Sequence, residues 1–205
     1  MLKKILWITL LAGVFLWSAI EPKDRATWFL EVFPVILGVF VLAVTYRSFR
    51  LTSLLYLLIL LHCFVLLVGG HYTYAEVPLF NEMKITFGFE RNNFDKLGHF
   101  MQGLVPAMIA REIIIRLNII NGRNWRTFFI ICFCLALSAF YELLEWGVAL
   151  ISAEAADAFL GMQGYEWDTQ SDMAYALIGA ATGLALLSKI HDRQLRQYRP
   201  NSSVR

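Results

Sequence analysis

Asp95, Lys96, His99 and Gln102 stand together in the stretch NNFDKLGHFMQG, where a polar loop gives way to an apolar run. Asp95, His99 and Gln102 are spaced i, i+4, i+7, so a helix carries all three on one face, with Pro106 continuing the line. An imidazole beside a carboxylate is a pairing suited to proton transfer. The plainer account of Asp95 is a helix cap that accepts the first free backbone N–H groups. For His99 it is an interfacial histidine fixed in one tautomer. A second stripe lies in SAFYELLEWG, where Ser138, Glu142 and Glu145 repeat the same spacing. Carboxylates on one face of an apolar helix are costly in lipid and should face a cavity, a basic partner or, for the outermost, water. A third stripe runs Asp172, Ala176, Gly179, Gly183, with Asp168 one turn earlier. Gly179 and Gly183 form a small-residue pattern that lets helix backbones approach closely. Asp172 therefore falls on the packed face of its helix.

The elements that must hold these stripes are membrane helices. The chain is 58% apolar and 17% charged, whereas soluble domains are about half apolar and about a quarter charged. A helix crosses the hydrocarbon with about 20 apolar residues. Six runs qualify: Leu2–Ile20, Thr27–Tyr46, Leu51–Gly70, Gly98–Ile115, Trp125–Leu150 and Met173–Ile190. The expected fold is all-α, a polytopic bundle of about six transmembrane helices. It forms one domain over residues 1–190, followed by a loose basic tail over 191–205. Lys3 and Lys4 before an apolar run also suit a signal peptide. Bulky Trp17 close before a cut after Ala19 argues instead for an uncleaved helix.

Six spans place 13 of the 18 Lys and Arg residues on one side, from Lys3 and Lys4 to Arg199 and Arg205 in the tail. The positive-inside rule then puts both termini in the cytoplasm of a bacterial cell, in its inner membrane. Two long connections lie on the other side, His71–Leu97 and Ile151–Asp172. The second carries Glu154, Asp157, Glu166, Asp168 and Asp172 without Lys or Arg. Cys63, Cys132 and Cys134 all sit in apolar runs, which predicts free thiols rather than disulfides. No basic run with interleaved aromatics points to nucleic acid; the partner of this surface is the lipid bilayer.

In this topology the fourth helix enters, the fifth leaves and the sixth re-enters at one membrane face, so the three stripes meet at one depth. Asp95, His99, Glu142, Glu145 and Asp172 are therefore the candidate catalytic residues of a pocket at the periplasmic mouth. His99, Glu142, Glu145 and Asp172 are candidate ligands of a divalent cation such as Mn, Mg, Fe or Zn, no thiolate set being present. No other cofactor is legible.

The same blocks, NNFDKLGHFMQG, YELLEW and FLGMQGYEWDTQSDMAYALIGA, resemble the YjdF-type family of uncharacterised bacterial inner-membrane proteins. A looser pattern is similar to VanZ-like membrane proteins, which are linked to glycopeptide-antibiotic resistance. It comprises Asp95, Lys96, His99 and Phe100, then Tyr141, Glu142 and Glu145, then Asp172 before a glycine-rich helix. In VanZ-like chains the second glutamate position is often Gln and an Arg often precedes the last Asp. Here Glu145 stands at the first, and no Arg lies in the segment before Asp172.

Three functional readings follow. One is an enzyme acting on a lipid or cell-envelope precursor, with His99 as general acid or base and water as nucleophile. Another is a small carrier, for which His62 is the deeper relay. The third is a structural protein whose polar residues only pack helix ends.

Overall fold

The computed structural model describes residues 2–151 and 163–198. Glu154, Asp157, Arg199 and Arg205 lie outside them. The described chain is helical: α1 (Leu2–Ala19), α2 (Arg25–Thr45), α3 (Ser53–Tyr72), α4 (Pro78–Phe87), α5 (Phe94–Arg116), α6 (Arg123–Ile151), α7 (Asp168–Thr182) and α8 (Ser188–Leu195). A π-helical segment, Gly183–Leu187, joins α7 to α8, so one long helix runs from Asp168 to Leu195.

Among the described residues, five helices are long and apolar enough to cross a membrane: α1, α2, α3, α6 and the long α7–α8 helix. The remaining long helix, α5, has 23 residues and rises about 34 Å, enough for a hydrocarbon core of about 30 Å. It falls outside the five because of its polar residues. Most of those residues, Asp95, Lys96, His99, Arg111 and Glu112, are buried, since α5 is the centre of the bundle and packs on α3, α6 and α7. The fold is an all-α polytopic membrane protein with its polar stripes turned inward and phenylalanines and leucines turned outward.

Among the described helices, α5 and α7 meet in the closest seam. A Cβ at Gly103 would overlap the carbonyl oxygen of Ala176, and one at Gly179 would overlap that of Phe100. A Cβ at Gly183 would press on Leu104 at 3.3 Å. Each helix thus offers a glycine to the other's backbone, the arrangement small-residue seams allow.

Several boundaries differ from the sequence expectation. Apolar content marks where the hydrocarbon begins, whereas the helix persists until its backbone finds a cap. Thus α5 starts at Phe94 rather than Gly98, and Asp95 is in its first turn, not at its cap. The capping work falls to Asn92, whose side-chain oxygen accepts from the Phe94 N–H at 3.0 Å. The His71–Leu97 connection holds a 3-10 turn, Tyr74–Glu76, and then α4, which Pro78 opens and left-handed Gly88 closes. Leu79, Ile85 and Phe87 of α4 are exposed, as suits a short helix lying in the membrane–water boundary. The segment from His191, expected to be loose, is helical to Leu195 and holds His191 fully buried.

Candidate functional site

The three sequence stripes meet. Near the start of α5, Asp95 and His99 face one another one turn apart, with His99 Nε2 3.4 Å from Asp95 Oδ1. From α7, Asp172 Oδ2 reaches to 3.9 Å of the same nitrogen. The other ring nitrogen, Nδ1, lies 3.1 Å from the Gln102 side-chain oxygen and 3.8 Å from Glu142 Oε1 on α6. His99 is 5% exposed and Asp172 3%. Both ring nitrogens therefore face oxygen acceptors, an arrangement that suits a doubly protonated ring or, at Nε2, a metal ion in place of a proton.

Two fixed cations hold the outer side of this cluster. Lys96 Nζ is 3.2 Å from Asp172 Oδ1 and 3.4 Å from Asp168 Oδ1. It also lies over the rings of Tyr165 and Tyr175, at 5.3 and 5.7 Å. Arg91 pairs with Asp168 and lies 3.6 Å from Asp95 Oδ2. Asp95 and Asp172 are thus each split: one oxygen faces a cation, the other faces His99.

The glutamates of α6 are less committed. Among the described residues, Glu142 Oε1 is buried without a hydrogen-bond partner, as is the hydroxyl of Ser138 one turn away. Glu145 is buried and borders a cavity of about 680 Å³. Among the described residues, no hydrogen bond or ion pair reaches it.

That cavity lies between α2, α5 and α6. At one end it is bordered by Asp95, His99, Tyr74, Tyr141 and Glu145. Its walls on α2 and α6 include Phe29, Phe33, Leu37, Phe140 and Leu144. The last five are also about half exposed on the outer surface of the bundle. The cavity is therefore open sideways, towards lipid, and polar at one end.

Two of its residues were not among the expected site residues. Glu31, the single carboxylate within α2, is buried and borders the cavity. A lone acid inside an apolar run was the signal available. The ring of Tyr74 is wedged between α3 and α5, and a Cβ at Gly98 would come to 2.8 Å of it. An aromatic in a loop gave no such signal. His62 also borders the cavity.

Of the expected metal ligands, His99 and Asp172 come together, with Asp95 as the third member of the group. Glu142 stands on the opposite side of the imidazole, towards Nδ1, so it cannot share an ion bound at Nε2.

The basic end of the bundle holds a buried acid and a buried histidine as well. Glu112 accepts from the Thr52 backbone N–H at 3.1 Å, the Thr52 hydroxyl at 2.8 Å and Arg116 at 2.8 Å. His191 Nε2 lies 2.9 Å from Glu112 Oε2, and Arg111 Nη1 lies 3.0 Å from His191 Nδ1. A guanidinium only donates, so Nδ1 accepts and the ring proton is on Nε2, pointing at Glu112.

A family model described as "Predicted membrane protein (DUF2238)" matches residues 3–193. The chain belongs to this family. It is 50% identical over 185 residues to "Inner membrane protein YjdF" of Escherichia coli (strain K12), covering 90% of this chain and 88% of that protein. No solved structure matches it. The family match spans every helix of the bundle up to α8, so the acid–imidazole cluster lies inside the shared region. The looser VanZ-like likeness rests on the residue pattern alone.

Proposed function

We propose that the protein takes a lipid or lipid-linked cell-envelope precursor sideways from the bilayer and acts on its polar head. The observation that carries this reading is the shape and lining of the cavity: an apolar slot open between α2 and α6 that ends at His99, Asp95 and Glu145. A soluble substrate has no use for a lipid-facing entrance, and an apolar tail has no use for buried acids. An amphiphile needs both. A volume of about 680 Å³ is within the about 300–1,000 Å³ typical of ligand pockets.

In this reading the tail lies against Phe33, Leu37 and Leu144. The head meets His99, oriented by Asp95 and Asp172. Glu145, which no hydrogen bond from the described residues holds, is the group that exchanges a proton with the head or with an attacking water. The bias of 13 among 18 basic residues supports a reading in which the site opens at the periplasmic face and both termini are cytoplasmic.

The test is identification of the lipids that copurify with the protein in mild detergent, by mass spectrometry. Wild type is expected to retain an amphiphile enriched over the bulk membrane lipids. Leu37→Trp, which fills the slot from an exposed position, is expected to lose it while eluting as a folded protein. Retained lipids that match the bulk composition in both proteins would refute the reading.

A further inference from the structure

We propose that Asp95 Oδ1, His99 Nε2 and Asp172 Oδ2 together bind one divalent transition-metal cation, of which Zn²⁺ and Mn²⁺ suit two carboxylates and an imidazole best. The three donor atoms lie within 4.8 Å of one another. The oxygens stand 3.4 and 3.9 Å from the nitrogen. A tetrahedral ion with bonds of about 2.1 Å spaces its donors about 3.4 Å apart. Small carboxylate rotations separate the arrangement from ligation.

Acids near a histidine are common without a metal, and convergence alone would not carry the inference. What carries it is how each ligand is held from behind. The outer oxygen of Asp95 faces Arg91, and the outer oxygen of Asp172 faces Lys96 at 3.2 Å. The outer nitrogen of His99 faces the Gln102 oxygen at 3.1 Å. Metal-binding side chains are commonly fixed in this way, with the far side of each ligand hydrogen-bonded to a neighbour. Here it aims three inner donors at one point.

A second observation is independent of that point. Glu142, more than nine-tenths buried, turns an oxygen without any hydrogen-bond partner towards the same imidazole. A buried carboxylate left so is costly unless positive charge stands nearby. An ion on the far side of the ring would supply that charge through the imidazole.

Asp95 and His99 also border the cavity. Three protein ligands leave a coordination position for a water or for an oxygen of the occupant, as in catalytic rather than structural sites. The cation site stands whether or not that occupant is a lipid.

The experiment is metal analysis of the detergent-solubilised full chain, stripped with chelator and then equilibrated separately with Zn²⁺ and Mn²⁺. One tightly held ion per chain is expected. His99→Gln and Asp172→Asn should each abolish retention. Gln102→Leu, which removes only the partner behind the imidazole, should weaken it about tenfold to a hundredfold. For the Mn²⁺ form, pulsed electron paramagnetic resonance on wild type should show coupling to one imidazole nitrogen, a readout that needs no variant to fold. Two results would overturn the proposal: a folded wild-type protein that retains neither ion, or an ion retained undiminished by both ligand variants.

Discussion

The two ends of α5 hold clusters of the same residue types, and they are finished differently. At the Arg116 end, both oxygens of Glu112 and both nitrogens of His191 are paired with protein groups. At the Asp95 end, His99 is similarly buried, but Glu142 keeps an oxygen and Ser138 a hydroxyl without partners, and a cavity adjoins. Burial and residue type do not separate a staple from a site. Completeness of hydrogen bonding does: a saturated network has nothing left to offer a ligand, whereas an unsaturated one keeps acceptors in reserve.

The comparison is broken or sharpened by substitution at each end. Glu112→Ala should cost the most, about 3–5 kcal/mol, because it leaves the Thr52 N–H and hydroxyl and the His191 Nε2–H without their acceptor and takes the carboxylate from Arg116, which keeps the Arg50 carbonyl; equilibrium unfolding in mixed micelles measures it. A loss below about 1 kcal/mol would mean that the sealed end is not a staple. His191→Phe, which keeps ring volume but leaves Arg111 and Glu112 each short of a partner, should cost about 1–3 kcal/mol in the same measurement.

Glu145→Gln should do the opposite. Its carboxylate holds no hydrogen bond among the described residues that the amide would lose, so stability should stay within about 1 kcal/mol of wild type, while retention of the cavity amphiphile falls. If unfolding shifts as strongly as for Glu112→Ala, the contrast between the ends collapses.

The smallest effect lies outside the membrane spans. Asp24 caps α2 by accepting from the Thr27 N–H at 2.7 Å, and this bond holds its carboxyl below the ordinary value of 3.8. A folded-state pKa that is depressed stabilises at pH above the unfolded value. That contribution is lost as pH falls through the lower, folded value. Asp24→Ala should cost about 0.5–1 kcal/mol near neutral pH, and the difference from wild type should vanish under strong acid. Asp24→Asn, which caps without titrating, should show no such pH dependence.

Much of the candidate site was legible because helical periodicity fixes faces. The spacing of Asp95, His99 and Gln102 needed only a helix to become one wall, and the Gly179–Gly183 pattern needed only a neighbour to become a seam. Glu31 went unread, although its signal was present as the one acid of an apolar run. Arg91 was not legible. It stands before α5 in a loop, and its meeting with Asp168 joins positions 77 residues apart. The sealed end was hidden for a different reason. Glu112 and Arg116 read as ordinary helix-end charges, and nothing in the spacing of the last helix brings His191 round to them.

What brings it round is the π-helical segment. Widening one turn of a helix accommodates an additional residue and sets everything beyond it back by about 100° from where an unbroken α-helix would carry it. Gly183–Leu187 therefore acts as a phase shifter between two halves of one span. Asp172, Ala176 and Gly179 obey one angular setting against α5, and His191 and Asp192 obey another. The two ends of α5 can be tuned separately although a single helix serves both. Straightening the segment with all its residues kept would swing His191 away from Glu112, whereas removing one residue such as Ala185 would close the wide turn to ordinary α-helix and leave both Asp172 and His191 on the faces they hold now.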